Sequence, residues 1–199
     1  AAPLLAARSL GLIRGGRELF TDLSFEVRPG QLWQVDGPTG AGKTSLIRML
    51  CGLARYGFEG EVMRSSDLLY LGHHPAVKAL LTPRENLVLH PAGEASHSDR
   101  EVEDALARVG LSGYEDVPSH TLSAGQHRRV NLARLFLSAT PLWVLDEPFT
   151  AIDKRGVSEL ENRLDRHVAE GGAVVLSSHQ TLNVDAQVHV LELGMEGVR

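Results

Sequence analysis

Residues 31–53, QLWQVDGPTGAGKTSLIRMLCGL, pass from an apolar run through a glycine-rich loop into apolar residues at helical spacing without a break. Few local patterns restrict a fold more, because the chain must leave a buried strand, wrap tightly and start a helix within eight residues. The loop, residues 37–44, matches G-x-x-x-x-G-K-[ST]. Gly37, Gly40 and Gly42 let the backbone approach a ligand closely, with Pro38, Thr39 and Ala41 between them. Successive N–H groups and the dipole of the following helix then point at negative charge. Lys43 adds a point charge for β and γ oxygens, Thr44 is placed to ligate Mg²⁺, and Ser45 offers a further phosphate donor. By itself the loop implies a protein that holds ATP or another nucleotide by its phosphates.

The rest of the chain sets the fold around this loop. The pattern of a buried strand followed by a polar loop recurs in PLWVLDEP and GGAVVLSSHQ, as parallel strands covered on both faces require. The first thirty residues alternate apolar and polar around Gly15-Gly16 and Pro29-Gly30, which reads as antiparallel strands and turns. PRENLVLH, SDREVEDALARVGL and AGQHRRVNLARLFL space apolar residues three or four apart, with Pro83 and Ser98 at favoured helix starts and Gly110 at a stop. The polar stretch at 91–98 reads as a surface loop. The expected fold class is therefore α/β: a P-loop core with a parallel sheet, N-terminal antiparallel strands and an inserted helical subdomain. A single domain over 1–199 is expected, with residues 1–81 and 137–199 as nucleotide-binding core and about 82–136 as the helical insert.

Composition narrows the partners. With 199 residues, 43% of them hydrophobic, the chain suffices for one compact unit. A net charge of -5 argues against nucleic acid, whose binding draws on clustered Lys and Arg. No apolar run reaches the roughly 20 residues needed to span a bilayer, and the start lacks a signal peptide's apolar block, so the expectation is a cytoplasmic chain with no membrane span of its own. The single cysteine, Cys51, is expected to act as a small buried hydrophobe.

Two further elements carry chemistry. The apolar run at residues 142–145 ends in Asp146-Glu147, where a parallel sheet delivers side chains to the edge that holds the phosphate loop. Asp146 would hold Mg²⁺ directly or through water, and Glu147 could polarise the attacking water. Leu122, Ser123, Ala124, Gly125 and Gln126 spell LSAGQ at the start of a helical run, with Ser123 and Gly125 where free N–H groups favour phosphate.

LSAGQ followed by HRRVNLARL, with Asp146-Glu147 at the matching distance, resembles the signature of ABC ATPases, departing from LSGGQ at Ala124. That resemblance implies a head-to-tail dimer sandwiching two ATP molecules, in which Ser123 of one copy contacts the γ-phosphate held by Lys43 of the other. It implies that Asp153, in Thr150-Ala151-Ile152-Asp153, lies in the loop that crosses the dimer, and that His179 is the switch histidine. The strings LDEPFTAID, LGHHPAVKALLTPRENL and SSHQTLNV resemble the haem-exporter branch, which serves cytochrome c maturation. This branch implies integral membrane transporter subunits as partners and peripheral attachment to the cytoplasmic face of the bacterial inner membrane.

The sequence departs from the family at two places. Arg14 stands where many members stack an aromatic on adenine, and an arginine plane can stack there too. His73 and His74 are both candidates for the position of the glutamine near Mg²⁺; read as neighbours on a strand they point to opposite faces, which disfavours a shared metal or haem site. Other readings are an ABC subunit for another cargo, a soluble ABC-type ATPase working on DNA or ribosomes, or a small-molecule P-loop kinase. The soluble machine calls for insertions, a second cassette or basic patches, and the kinase has no use for LSAGQ.

Overall fold

The structure is a computed structural model, and it describes residues 2–54, 57–89 and 97–194. Ala1–Tyr70, Thr140–Pro148 and Leu164–Arg199 form one compact unit; Leu71–Ala139 with Phe149–Arg163 form another.

The first unit holds two sheets. β1 (Leu5–Arg14) and β2 (Arg17–Val27) form an antiparallel hairpin, and β4 (Phe58–Arg64) pairs antiparallel on the far side of β1. The Gly15-Gly16 turn joins β1 to β2 with φ of 58° and 74°, the left-handed pair that tight hairpins require. The second sheet has the order β5-β6-β7-β3-β8, from β5 (Leu68–Leu71), β6 (Leu142–Leu145), β7 (Ala173–Ser177), β3 (Leu32–Asp36) and β8 (Val188–Glu192). β3 runs parallel to β7 and β8, and β6 parallel to β7. β6 and β7 are buried along their whole length, which is why LWVL and AVVLS read as unbroken apolar runs. The α/β expectation with an antiparallel N-terminal sheet holds.

α1 (Lys43–Leu50) packs Leu46, Ile47, Met49 and Leu50 into the core shared with Leu142, Val144, Ala173 and Val175. Cys51 caps its C-terminal end and packs against that core only partly buried, short of the buried position expected, and desolvation still pushes its thiol up to about 12 against the smaller pull of Arg64 and Arg48.

The second unit is helical. α2 (Pro83–Val88), α3 (Asp99–Arg108) and α4 (Ala124–Ala133) each begin with a reciprocal capping box: Thr82 with Glu85, Ser98 with Glu101, Ser123 with Gln126. Gly110 follows α3 with φ 77°. The loop expected at 91–98 lies outside the described residues except for its last two. α5 (Lys154–Ala169), which the sequence reading did not anticipate, runs through residues of both groups.

Candidate active site

β3 delivers Asp36 and Gly37 to the edge of the parallel sheet. The Asp36 carboxylate accepts from the N–H of Gly37 at 2.7 Å, and Ala41 N–H closes the loop onto Pro38 O at 3.1 Å. A Cβ on Gly37 would lie 2.6 Å from the carbonyl oxygen of Leu193, so only glycine lets the loop pass this backbone. Gly42, φ 98°, precedes α1 without a side-chain cap, and the first turn carries no acidic residue. The first N–H groups of a helix have no partner within it, and here no side chain of the cap takes that role.

Lys43 is 8% exposed. Its Nζ donates to Gly37 O at 2.5 Å, lies 2.6 Å from His179 Nε2 and stands 3.9 Å from Glu147 Oε1. Nδ1 of the His179 ring lies 3.3 Å from Lys43 Nζ and 3.7 Å from Asp36 Oδ1, so both ring nitrogens face the ammonium and Nε2 is the nearer acceptor for it. His179 Nε2 is also 3.8 Å from Glu147 Oε1. A cavity of about 230 Å³, lined by Asp36, Gly37, Pro38, His179 and Glu192, opens beside this group.

Asp146 and Glu147 leave the end of β6, and Ser177 at the end of β7 holds both. Its Oγ donates to Asp146 Oδ1 at 2.7 Å and accepts from Glu147 N–H at 2.9 Å. Glu147 takes φ 49°, a left-handed conformation that costs a residue with a Cβ roughly 1–2 kcal/mol. Gln34, buried in β3, donates to Ser178 O at 3.0 Å and Gln180 O at 2.9 Å, gripping the chain on either side of His179. Thr44 is exposed and Asp146 buried, a hydroxyl and a carboxylate of the hard-oxygen type that Mg²⁺ prefers. Among the described residues no group of three or more His, Cys, Asp or Glu is arranged to hold a metal ion. Arg14, at the end of β1, donates from Nη2 to Ser45 Oγ at 2.5 Å.

The structure thus brings Lys43, Glu147 and His179 together, and Arg14 onto Ser45. The signature residues, Asp153 and the histidine pair lie in the second unit, where Arg128 links three of the unit's segments. Its guanidinium donates to Thr150 O at 3.1 Å and His73 O at 2.9 Å, tying the LSAGQ helix to the loop before Asp153 and to the histidine pair. Leu122 is buried, Ser123 and Gln126 form the capping box, and Ala124 and Gly125 open α4. Asp153 accepts from Gly156 N–H at 2.8 Å at the start of α5. His73 and His74 correct the sequence expectation: β5 ends at Leu71, the pair sits in a bend, and the rings meet edge to face with centroids 5.4 Å apart rather than pointing to opposite faces.

Asp36, Ser177 and Gln34 were not singled out from sequence. Gln34 and Ser177 had a signal, since each interrupts or ends a run that is otherwise apolar, and a buried polar group needs a partner.

The ABC transporter family model matches residues 20–150. A cytochrome c biogenesis ATP-binding export protein, CcmA, of Hahella chejuensis is 49% identical, with 96% of each chain covered. The protein of that name from Yersinia pestis is 50% identical over 90% of this chain and 87% of its own, and that from Methylococcus capsulatus 47% over 95% and 97%. Among solved structures, a putative ABC transporter ATP-binding protein from Pyrococcus furiosus aligns with TM-score 0.79 at 22% identity, covering 94% of this chain and 96% of that one. An ATP-binding subunit of an ABC transporter aligns with TM-score 0.73 at 25% identity, covering 88% and 79%. No helix among the described residues is long and apolar enough to cross a membrane.

Proposed function

This chain belongs to the ABC transporter family and hydrolyses ATP, and from that premise we propose that it powers the export step of c-type cytochrome maturation, supporting haem delivery and release of a haem-loaded chaperone. The observation that carries the catalytic part is the convergence of Lys43, Glu147 and His179 beside the loop. The cargo rests on half-identical relatives named for cytochrome c biogenesis that match over almost their full lengths.

Residues 37–45 wrap the triphosphate. Lys43 exchanges Gly37 O and His179 for β and γ oxygens, which releases His179 to contact the γ-phosphate and leaves Glu147 to orient and deprotonate water. Thr44 and Asp146 would hold Mg²⁺, which would neutralise charge on the phosphate oxygens. Ser177 fixes Asp146 and the Glu147 backbone during the reaction. The site is completed by Leu122, Ser123, Ala124, Gly125 and Gln126 of a second copy, with Asp153 crossing between copies. Integral membrane subunits dock the pair at the cytoplasmic face of the bacterial inner membrane, and His73 and His74 take part in the glutamine-like role or that contact.

Deleting the gene and scoring c-type cytochromes tests the cargo, together with co-purification of membrane partners. Loss of the cytochromes is expected. Normal cytochromes would overturn the cargo and leave the ATPase assignment standing.

A further inference from the structure

We propose that Arg14 is a second cationic ligand of the triphosphate, working beside Lys43, and that it does not grip the base. The inference rests on the nucleotide reading above and assigns one residue within it. Arg14 Nη2 donates to Ser45 Oγ at 2.5 Å, and Ser45 is the third residue of α1. A hydroxyl has one proton to give and two lone pairs. By accepting from Arg14, Ser45 keeps its own proton for a phosphate oxygen.

Charge points the same way. The start of a helix is its positive end, so a guanidinium there is repelled by the dipole and by Lys43 in the same turn. No acidic side chain lies in that turn, and no carboxylate among the described residues forms an ion pair with Arg14. Its cross-strand partner is Arg17, so the hairpin places two like charges opposite each other, an arrangement that is unfavourable for the chain alone. A polyanion reverses all three terms. A guanidinium fork matches phosphate geometry, and a strand end bonded to α1 already holds it at the loop.

The test compares wild type, Arg14→Gln and Arg14→Lys for KM with ATP and with GTP, and for direct binding of inorganic tripolyphosphate. Arg14→Gln is expected to weaken all three by a common factor of about tenfold, the scale of one hydrogen bond to a charged group. Arg14→Lys is expected to recover part of the loss. A loss confined to ATP would overturn the proposal in favour of base stacking, and unchanged affinities for all three ligands would overturn it outright. Failure of wild type to turn over ATP would count against the ATPase assignment, whereas tripolyphosphate binding judges Arg14 independently of turnover.

Discussion

The helix starts of α1 and α4 carry the same chemistry in opposite states. At α1, Gly42 provides no cap, no acid occupies the first turn, and Lys43 is buried beside the loop, so the helix end is prepared for an anion. At α4, Ser123 accepts from Gln126 N–H at 3.1 Å while Gln126 Oε1 accepts from Ser123 N–H at 2.9 Å, so the group expected to meet phosphate is satisfied within its own chain. The difference teaches that LSAGQ is a sound helix start with or without ligand, whereas the loop before α1 makes physical sense only with one.

The sharpest way to break this contrast is at Glu147, the carboxylate proposed to act on water. Glu147→Gln should retain ATP binding while turnover falls by roughly 10²- to 10⁴-fold, the usual worth of a positioned general base. Unchanged kcat would remove Glu147 from that role. Lys43→Ala acts on the prepared helix start and should weaken ATP binding by about ten- to a hundredfold, since its charge serves the ground state as well as the transition state; equilibrium nucleotide titration reads this.

Between these two ends sits Ser177, which holds Asp146 and the N–H of a strained Glu147. Ser177→Ala should cost about 1–3 kcal/mol in denaturant unfolding and lower kcat as well. Stability loss with kcat unchanged would reduce Ser177 to a packing role.

The capped start predicts a smaller effect. Ser123→Ala removes a capping box and should lower stability by about 1 kcal/mol, about 2–4 °C in melting point, with ATP affinity of the isolated chain unchanged. If the melting point does not move, the capping box contributes nothing and the contrast weakens.

Cys51, at the far end of α1, offers the mildest test. Its folded pKa is raised, so the folded state binds the proton more tightly; the associated stability is present below the ordinary thiol pKa and is lost as pH rises from about 9 towards 12. Thiol alkylation at pH 8 should be slow in the native chain and fast in urea. Fast native labelling would mean that α1 is not seated in the core.

Much of this was legible from sequence because backbone chemistry demanded it. Gly37 and Gly42 adopt left-handed or crowded conformations, LWVL and AVVLS are buried on both faces, and Ser98 and Pro83 mark helix starts where they stand. The less legible parts depend on packing between distant segments. Nothing local in SSHQ announces that Ser177 bonds to Asp146 across a parallel ladder, or that Gln34 reaches 144 residues along the chain to Ser178. The bend at His73-His74 was misread because β5 stops at Leu71, two residues short of the pair. Arg14 is legible in the sequence only as a departure from the family's aromatic, and its contact with Ser45 depends on where the hairpin ends relative to α1.

The central claim is that a working site combines the phosphate loop of one copy with LSAGQ of another. Lys43→Ala and Ser123→Arg chains, each inactive alone, should regain turnover when mixed with their membrane partners, because the mixed pair rebuilds one intact site. Two folded, nucleotide-accessible variants that stay inactive on mixing, or a Ser123→Arg chain that turns over ATP unaided, would contradict it.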